Sequence, residues 1–168
     1  VTRYIALLRA VNVGGTGRLS MKVLSGLCVE LGFENVRTYI QSGNVIFESN
    51  LPETEIRKKL EEVLIDRLGL KTEAILRTAR ELEAVLAANP FPTAEASKVG
   101  VFFQSDSIID RKLFDNPPTK EVIRIGRREV YIHFPMGMGP SKLRLPAETG
   151  TMRNMNTVSK LVSMTRQA

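Results

Sequence analysis

Basic, amide-bearing and glycine residues recur in four short stretches of this 168-residue chain, and each could line an anion site or serve a plain structural role. The first is Arg9-Ala10-Val11-Asn12-Val13-Gly14-Gly15-Thr16-Gly17-Arg18, with two guanidiniums, an amide and three glycines on a connection longer than a strand-to-helix link needs. Glycines let backbone N–H groups approach an anion, and a guanidinium grips oxyanions through two parallel hydrogen bonds. The spacing G-x-G-x-x-G is absent, so a dinucleotide fold is not indicated. The second stretch is Gln41-Ser42-Gly43-Asn44, and the fourth is Thr151-Met152-Arg153-Asn154-Met155-Asn156-Thr157. Each also has a plain structural reading: the former as a hairpin turn, the latter as a set of helix-capping side chains beside Arg153.

The third stretch, His133-Phe134-Pro135-Met136-Gly137-Met138-Gly139-Pro140-Ser141-Lys142-Leu143, holds the only histidine. His133 is therefore the only candidate for proton transfer near neutral pH. No serine or cysteine pairs with it by spacing, and a catalytic triad is unsupported. The glycines and Lys142 do not make a Walker A motif, which needs G-x-x-x-x-G-K-[ST]. Two readings stand: an anion site at the start of a short helix over Lys142–Ala147, or a turn.

These residues need elements to carry them. Tyr4–Arg9 reads as a strand, and Ser20 caps a helix ending at Gly32. Val36–Ile40 and Val45–Phe47 make a hairpin. Pro52 opens a helix with Ile56, Leu60 and Leu64 on one face, Thr72–Leu76 is a strand, and Thr78 with Glu81 forms a capping box for a third helix. Strand, helix, strand, strand, helix, strand predicts a ferredoxin-like antiparallel sheet with two helices on one face.

After the linker Asn89-Pro90-Phe91-Pro92-Thr93 the order begins again. Val99–Phe103 is a strand, Ser107 caps a short helix through Phe114, and Val122–Ile125 with Val130–Phe134 make a second hairpin. A last helix runs over Asn154–Thr165, and no closing strand is evident. The prediction is an α+β chain of two ferredoxin-like lobes, residues 1–88 and 89–168.

Composition narrows the partners. The net charge is +6, and residues 89–168 carry 12 Lys/Arg against 7 Asp/Glu, so the second lobe supplies +5 of it. That favours an anionic partner there. One cysteine and one histidine leave too few soft ligands for zinc or an iron–sulfur centre, and no metal site is expected. Cys28, at helical spacing with Leu24, Leu27 and Leu31, reads as a buried thiol. No apolar run reaches the roughly 18 residues of a membrane span, which points to a cytoplasmic protein without a membrane partner.

The segments YIALLRAVNVGG (Tyr4–Gly15), TYIQSGNVIF (Thr38–Phe47), NPF (Asn89–Phe91), VYIHFPMGMGPSKL (Val130–Leu143) and TMRNMNTVSKL (Thr151–Leu161) together resemble a bacterial family known as domain of unknown function 1697. The resemblance implies a two-lobed α+β protein with ferredoxin-like halves, and it implies no activity, cofactor or catalytic residue. The chain departs from the family pattern at Ala10, usually glycine, and Met155, usually tryptophan.

Three function classes follow. A small anionic ligand, bearing phosphate or carboxylate, or a nucleotide, would sit between the lobes on Arg9, Asn12, Gly14, Gly15, Ser42, Asn44, His133, Lys142, Arg153, Asn154 and Asn156. A nucleic-acid-binding module would use the basic surface. It would lack stacking, worth about 1–3 kcal/mol per base, because Asn44 and Ile46 stand where RNA-recognition domains place rings. An interaction or scaffold protein would use the same polar residues to lock its lobes. The sequence specifies no cofactor, reaction or oligomeric state.

Overall fold

The computed structural model describes residues 1–9, 19–40, 43–105, 109–114, 120–146 and 149–167. These residues form eight strands and four α-helices in two compact units, Val1–Glu81 with Met164–Ala168, and Leu82–Ser163.

In the first unit β1 (Thr2–Leu8), α1 (Met21–Glu30), β2 (Glu34–Tyr39), β3 (Asn44–Ser49), α2 (Glu53–Leu68) and β4 (Ala74–Thr78) follow the expected order. The sheet runs β2-β3-β1-β4, antiparallel throughout, which is the ferredoxin-like plait. Ser20 caps α1 by accepting the Val23 N–H, and Gly32, at φ +89, lets the chain turn away after the helix ends. Pro52 sits one position earlier than expected, as the N-cap of α2 with an extended backbone, and Gly69 ends that helix at φ +62. One sheet face carries Tyr4, Ala6, Leu8, Val45, Phe47 and Leu76, packed with Leu24, Cys28, Ile56, Leu60 and Leu64 of the two helices. Phe33 stacks on Phe47 with ring centroids 4.4 Å apart.

β4 runs directly into α3 (Ala79–Ala87) through the expected capping box. Glu81 N–H donates to Thr78 Oγ1 at 3.1 Å, and Thr78 N–H donates to Glu81 Oε1 at 2.9 Å.

The second unit has β5 (Val99–Gln104), a 3-10 turn over Arg111–Phe114, β6 (Val122–Ile125), β7 (Glu129–His133), β8 (Gly150–Asn154) and α4 (Met155–Thr165). Its sheet runs β6-β7-β5-β8, the first unit's order repeated. The sequence expectation of no closing strand is therefore corrected. Gly150–Asn154 pairs antiparallel with β5, although its residues look like caps, because only a side-chain-free Gly150 lets it approach. A Cβ there would lie 2.3 Å from the Phe103 carbonyl oxygen and 2.8 Å from the Phe102 ring. The expected helix over Lys142–Ala147 is also absent: residues 142–146 are irregular, and Ala147 lies outside the described residues. Ser107 lies outside them too.

The repeat reaches individual side chains. Ile5 is flanked by Ile46 and Arg77, and Val101 by Tyr131 and Arg153, on the corresponding face of each sheet. Arg77 Nη1 donates to the Leu76 carbonyl at 2.8 Å, and Arg153 Nη1 to the Met152 carbonyl at 3.0 Å. Each arginine precedes a capping residue, Thr78 or Asn154, and then a helix.

The packing around two glycines and the burial of Cys28 can each be tested. Gly26→Ala, in exposed helix with nothing near its Cβ, should stabilise by about 0.5–1 kcal/mol. Gly150→Ala should destabilise by about 1–3 kcal/mol or more through overpacking, both read by urea denaturation. Burial pushes the Cys28 thiol up to about 12, so the neutral form stabilises the fold up to the ordinary thiol value of 9.0 and this contribution fades between there and about 12. A thiolate-selective reagent near pH 8 should therefore label Cys28 at the rate of unfolding, and fast labelling of the native protein would contradict its burial.

Candidate functional site

The loop that follows β7 has the structural job that α2 has in the first unit. Its side chains Met138, Leu143 and Leu145 pack on Phe102, Val130, Ile132 and Phe134 and cover that face of the sheet. A loop covers less evenly than a helix, so it must be pinned. The Phe134 N–H donates to the Lys98 carbonyl at 2.8 Å, and the Gly137 N–H closes a turn onto Phe134 O at 2.9 Å, with Gly137 at φ +89. Ser141 Oγ donates to Glu121 Oε1 at 2.6 Å and accepts the Leu143 N–H at 3.2 Å. Glu121 itself is buried.

Between residues 120–121 and 134–141 this arrangement leaves a cavity of about 420 Å³. Phe134, Pro135, Met136 and Pro140 supply its apolar wall, and Lys120, Glu121 and Ser141 its polar edge. Met136 stands 78% exposed at the tip of the turn.

The residues singled out from sequence fall in several places. His133 ends β7, half-buried, with its ring 5.5 Å from that of Phe91. It shares a sheet face with Tyr131 and Arg153. Two strand spacings and two residues separate His133 from Arg153, roughly 12 Å between Cα atoms. Arg153 is 7% exposed, and its Nη1 donates to Thr151 Oγ1 at 2.8 Å as well as to the Met152 carbonyl. Burial pulls this guanidinium down to about 10, which leaves it charged at neutral pH. Tyr131, pushed up to about 12 by burial and then by Glu129, donates its hydroxyl to the Val85 carbonyl of α3 at 2.8 Å.

Asn154 caps α4 through the Thr157 N–H at 2.9 Å, Asn156 is exposed in the first turn, and Lys142 is exposed beside Ser141. Met155, the departure from tryptophan, is 3% exposed and belongs to the interior. In the first unit Arg9 Nε lies 3.3 Å from Glu73, whose other oxygen holds Arg57 at 2.6 Å. Asn44 is buried and donates across its hairpin to the Tyr39 carbonyl at 3.0 Å. Asn12, Gly14, Gly15 and Ser42 lie outside the described residues.

Sequence reasoning did not single out Lys120 and Glu121. They carry no motif, and only the loop folding back onto β6 gives them a role. Among the described residues no group of three or more His, Cys, Asp or Glu side chains is placed to hold a metal ion, and no helix is long and apolar enough to cross a membrane.

Residues 1–131 match the family described as "Protein of unknown function (DUF1697)". The chain belongs to this family. No curated protein matches it in sequence. Among solved structures it is similar to a conserved bacterial protein from Streptococcus pneumoniae, at 24% identity and a TM-score of 0.80 over 97% of this chain and 98% of that one. That likeness supports the α+β fold with two lobes.

Breaking the pin tests whether it shapes the site. Ser141→Ala and Glu121→Gln should each cost about 1.5 kcal/mol. The double variant should fall short of their sum by about 1 kcal/mol, measured by a denaturation cycle. Strict additivity would mean that the 2.6 Å contact carries no weight.

Proposed function

We propose that this protein binds a small molecule with an apolar body and an anionic group, seated in the cavity of the second unit. The observation that carries the reading is the cavity itself. At about 420 Å³ it falls within the usual range for small-molecule sites, and its wall of one aromatic ring, two prolines and a methionine suits a flat hydrocarbon surface. Lys120 at the edge offers the cation, while the Glu121 carboxylate is engaged by the Ser141 hydroxyl. The excess of positive charge in residues 89–168 likewise favours an anionic ligand.

Several residues of the sequence-derived set fit this reading poorly as direct ligands. Arg9 is paired with Glu73, Asn154 is spent on a helix cap, and Arg153 is almost wholly buried. A nucleic-acid role has less support. Ile5, Leu7 and Ile46 on the first sheet, and Phe103 and Tyr131 on the second, are buried, which removes the stacking platform of RNA-recognition domains.

A fluorescent naphthalenesulfonate, an aromatic anion, tests the reading. Saturable one-to-one binding is expected, weakened about fivefold by Lys120→Ala and more strongly by Met136→Glu, which sets a carboxylate on an exposed rim position. Binding that never saturates, or that both variants leave unchanged, would remove the proposal. A single-stranded oligonucleotide binding at low salt in place of the dye would favour the nucleic-acid reading.

A further inference from the structure

A second cavity, of about 280 Å³, opens beside β2 in the first unit, and its walls are of a different kind. Arg3, Arg37 and the amides of Asn35 and Gln167 line it together with Glu48. The local backbone explains the grouping. A register shift between Glu34 and Arg37 bulges the edge strand, and Asn35 adopts a left-handed φ of +51, a conformation that asparagine tolerates better than most residues.

The charges in this cavity are unevenly answered. Arg3 donates to Glu48 Oε1 through Nε at 3.2 Å and Nη2 at 2.7 Å, and Asn35 Nδ2 donates to Glu48 Oε2 at 2.6 Å. These bonds, Arg3's first, hold the Glu48 carboxyl below its ordinary value and keep it committed. Arg3 Nη1 also meets the Thr165 carbonyl. Arg37 is met differently. Its Nη2 donates to the Met164 carbonyl at 2.5 Å and its Nη1 to the Gln167 amide oxygen at 3.2 Å. Both acceptors are neutral, and among the described residues no carboxylate lies within ion-pair distance of Arg37.

An oxyanion in place of the Gln167 amide would replace a single neutral acceptor with an opposite charge able to take two parallel N–H bonds from the Arg37 guanidinium. Gln167 is exposed and free to swing aside. We propose that this cavity is an oxyanion site: Arg37 binds the phosphate or carboxylate group of a small molecule beside the mutually neutralised Arg3–Glu48 pair, and the anion displaces the Gln167 side chain. The site lies wholly within the first unit and does not rest on the cavity of the second.

The test is an NMR titration of the full chain with inorganic phosphate and, separately, malonate, following the side-chain amides of Asn35 and Gln167. Saturable shifts are expected with at least one anion, and which anion saturates assigns the group. Arg37→Met should weaken binding at least about tenfold, whereas Arg124→Met, an exposed arginine of the other unit, should not change it. Gln167→Glu provides a variant at an exposed position that leaves both arginines in place. It supplies its own carboxylate to Arg37 and should abolish binding. Failure of both anions to shift the wild-type amides, or unchanged affinity in Gln167→Glu or Arg37→Met, would overturn the proposal.

Discussion

A four-stranded antiparallel sheet cannot stand with its apolar face in water, and how that face is covered decides most of what differs between the two halves of this molecule. In the first unit α1 and α2 lie on Tyr4, Ala6, Leu8, Val45 and Phe47, and their regular ridges fill the space. In the second the strand order is the same, but Phe114 of a 3-10 turn and the Met138, Leu143 and Leu145 side chains of an irregular loop do the covering. An irregular cover packs at fewer points and must be tied down by polar contacts, here Ser141 on Glu121. The space it leaves is the cavity.

The repeated strand order brings a repeated solution for the edge strand that leads into each helix. Arg77 and Arg153 hold matching register positions, satisfy the carbonyl immediately before them, and are followed by a residue that caps the next helix. Burying a guanidinium is expensive unless its donors are used. The local carbonyls and Thr151 meet part of that demand, and desolvation still lowers Arg153 to about 10. The two halves therefore match in side-chain role where identity between them is slight.

Which cations remain available to an anion depends on what each already touches. Arg9 and Arg57 share the Glu73 carboxylate, with Glu61 beside them, so that group of charges is balanced. Lys120 and Arg37 differ: one lines an apolar cavity, and the other bonds a backbone carbonyl and a side-chain amide. Net charge in the sequence does not distinguish these cases, because a charge is spent or unspent only relative to its neighbours.

Much of the architecture was legible in the residues themselves. The apolar run from Tyr4 to Leu8, the caps at Ser20 and Thr78, and the stops at Gly32 and Gly69 follow from local sterics and hydrogen bonding, which act over a few residues and leave a pattern in the chain. Strand β8 was not legible, because Gly150 and Asn154 are poor strand formers and Thr151 and Asn154 read as helix caps, while the segment pairs only since Gly150 lets it close against Phe102 and Phe103. The candidate site was half legible: the glycine- and proline-rich loop could be marked, but Glu121, Lys120 and Arg37 enter only through contacts across 20 residues for Ser141–Glu121 and 127 for Arg37–Met164. Sequence determined the elements, since their physics is local. Tertiary structure alone decided which charges meet carboxylates and which meet neutral carbonyls, since that depends on groups distant along the chain brought together by packing.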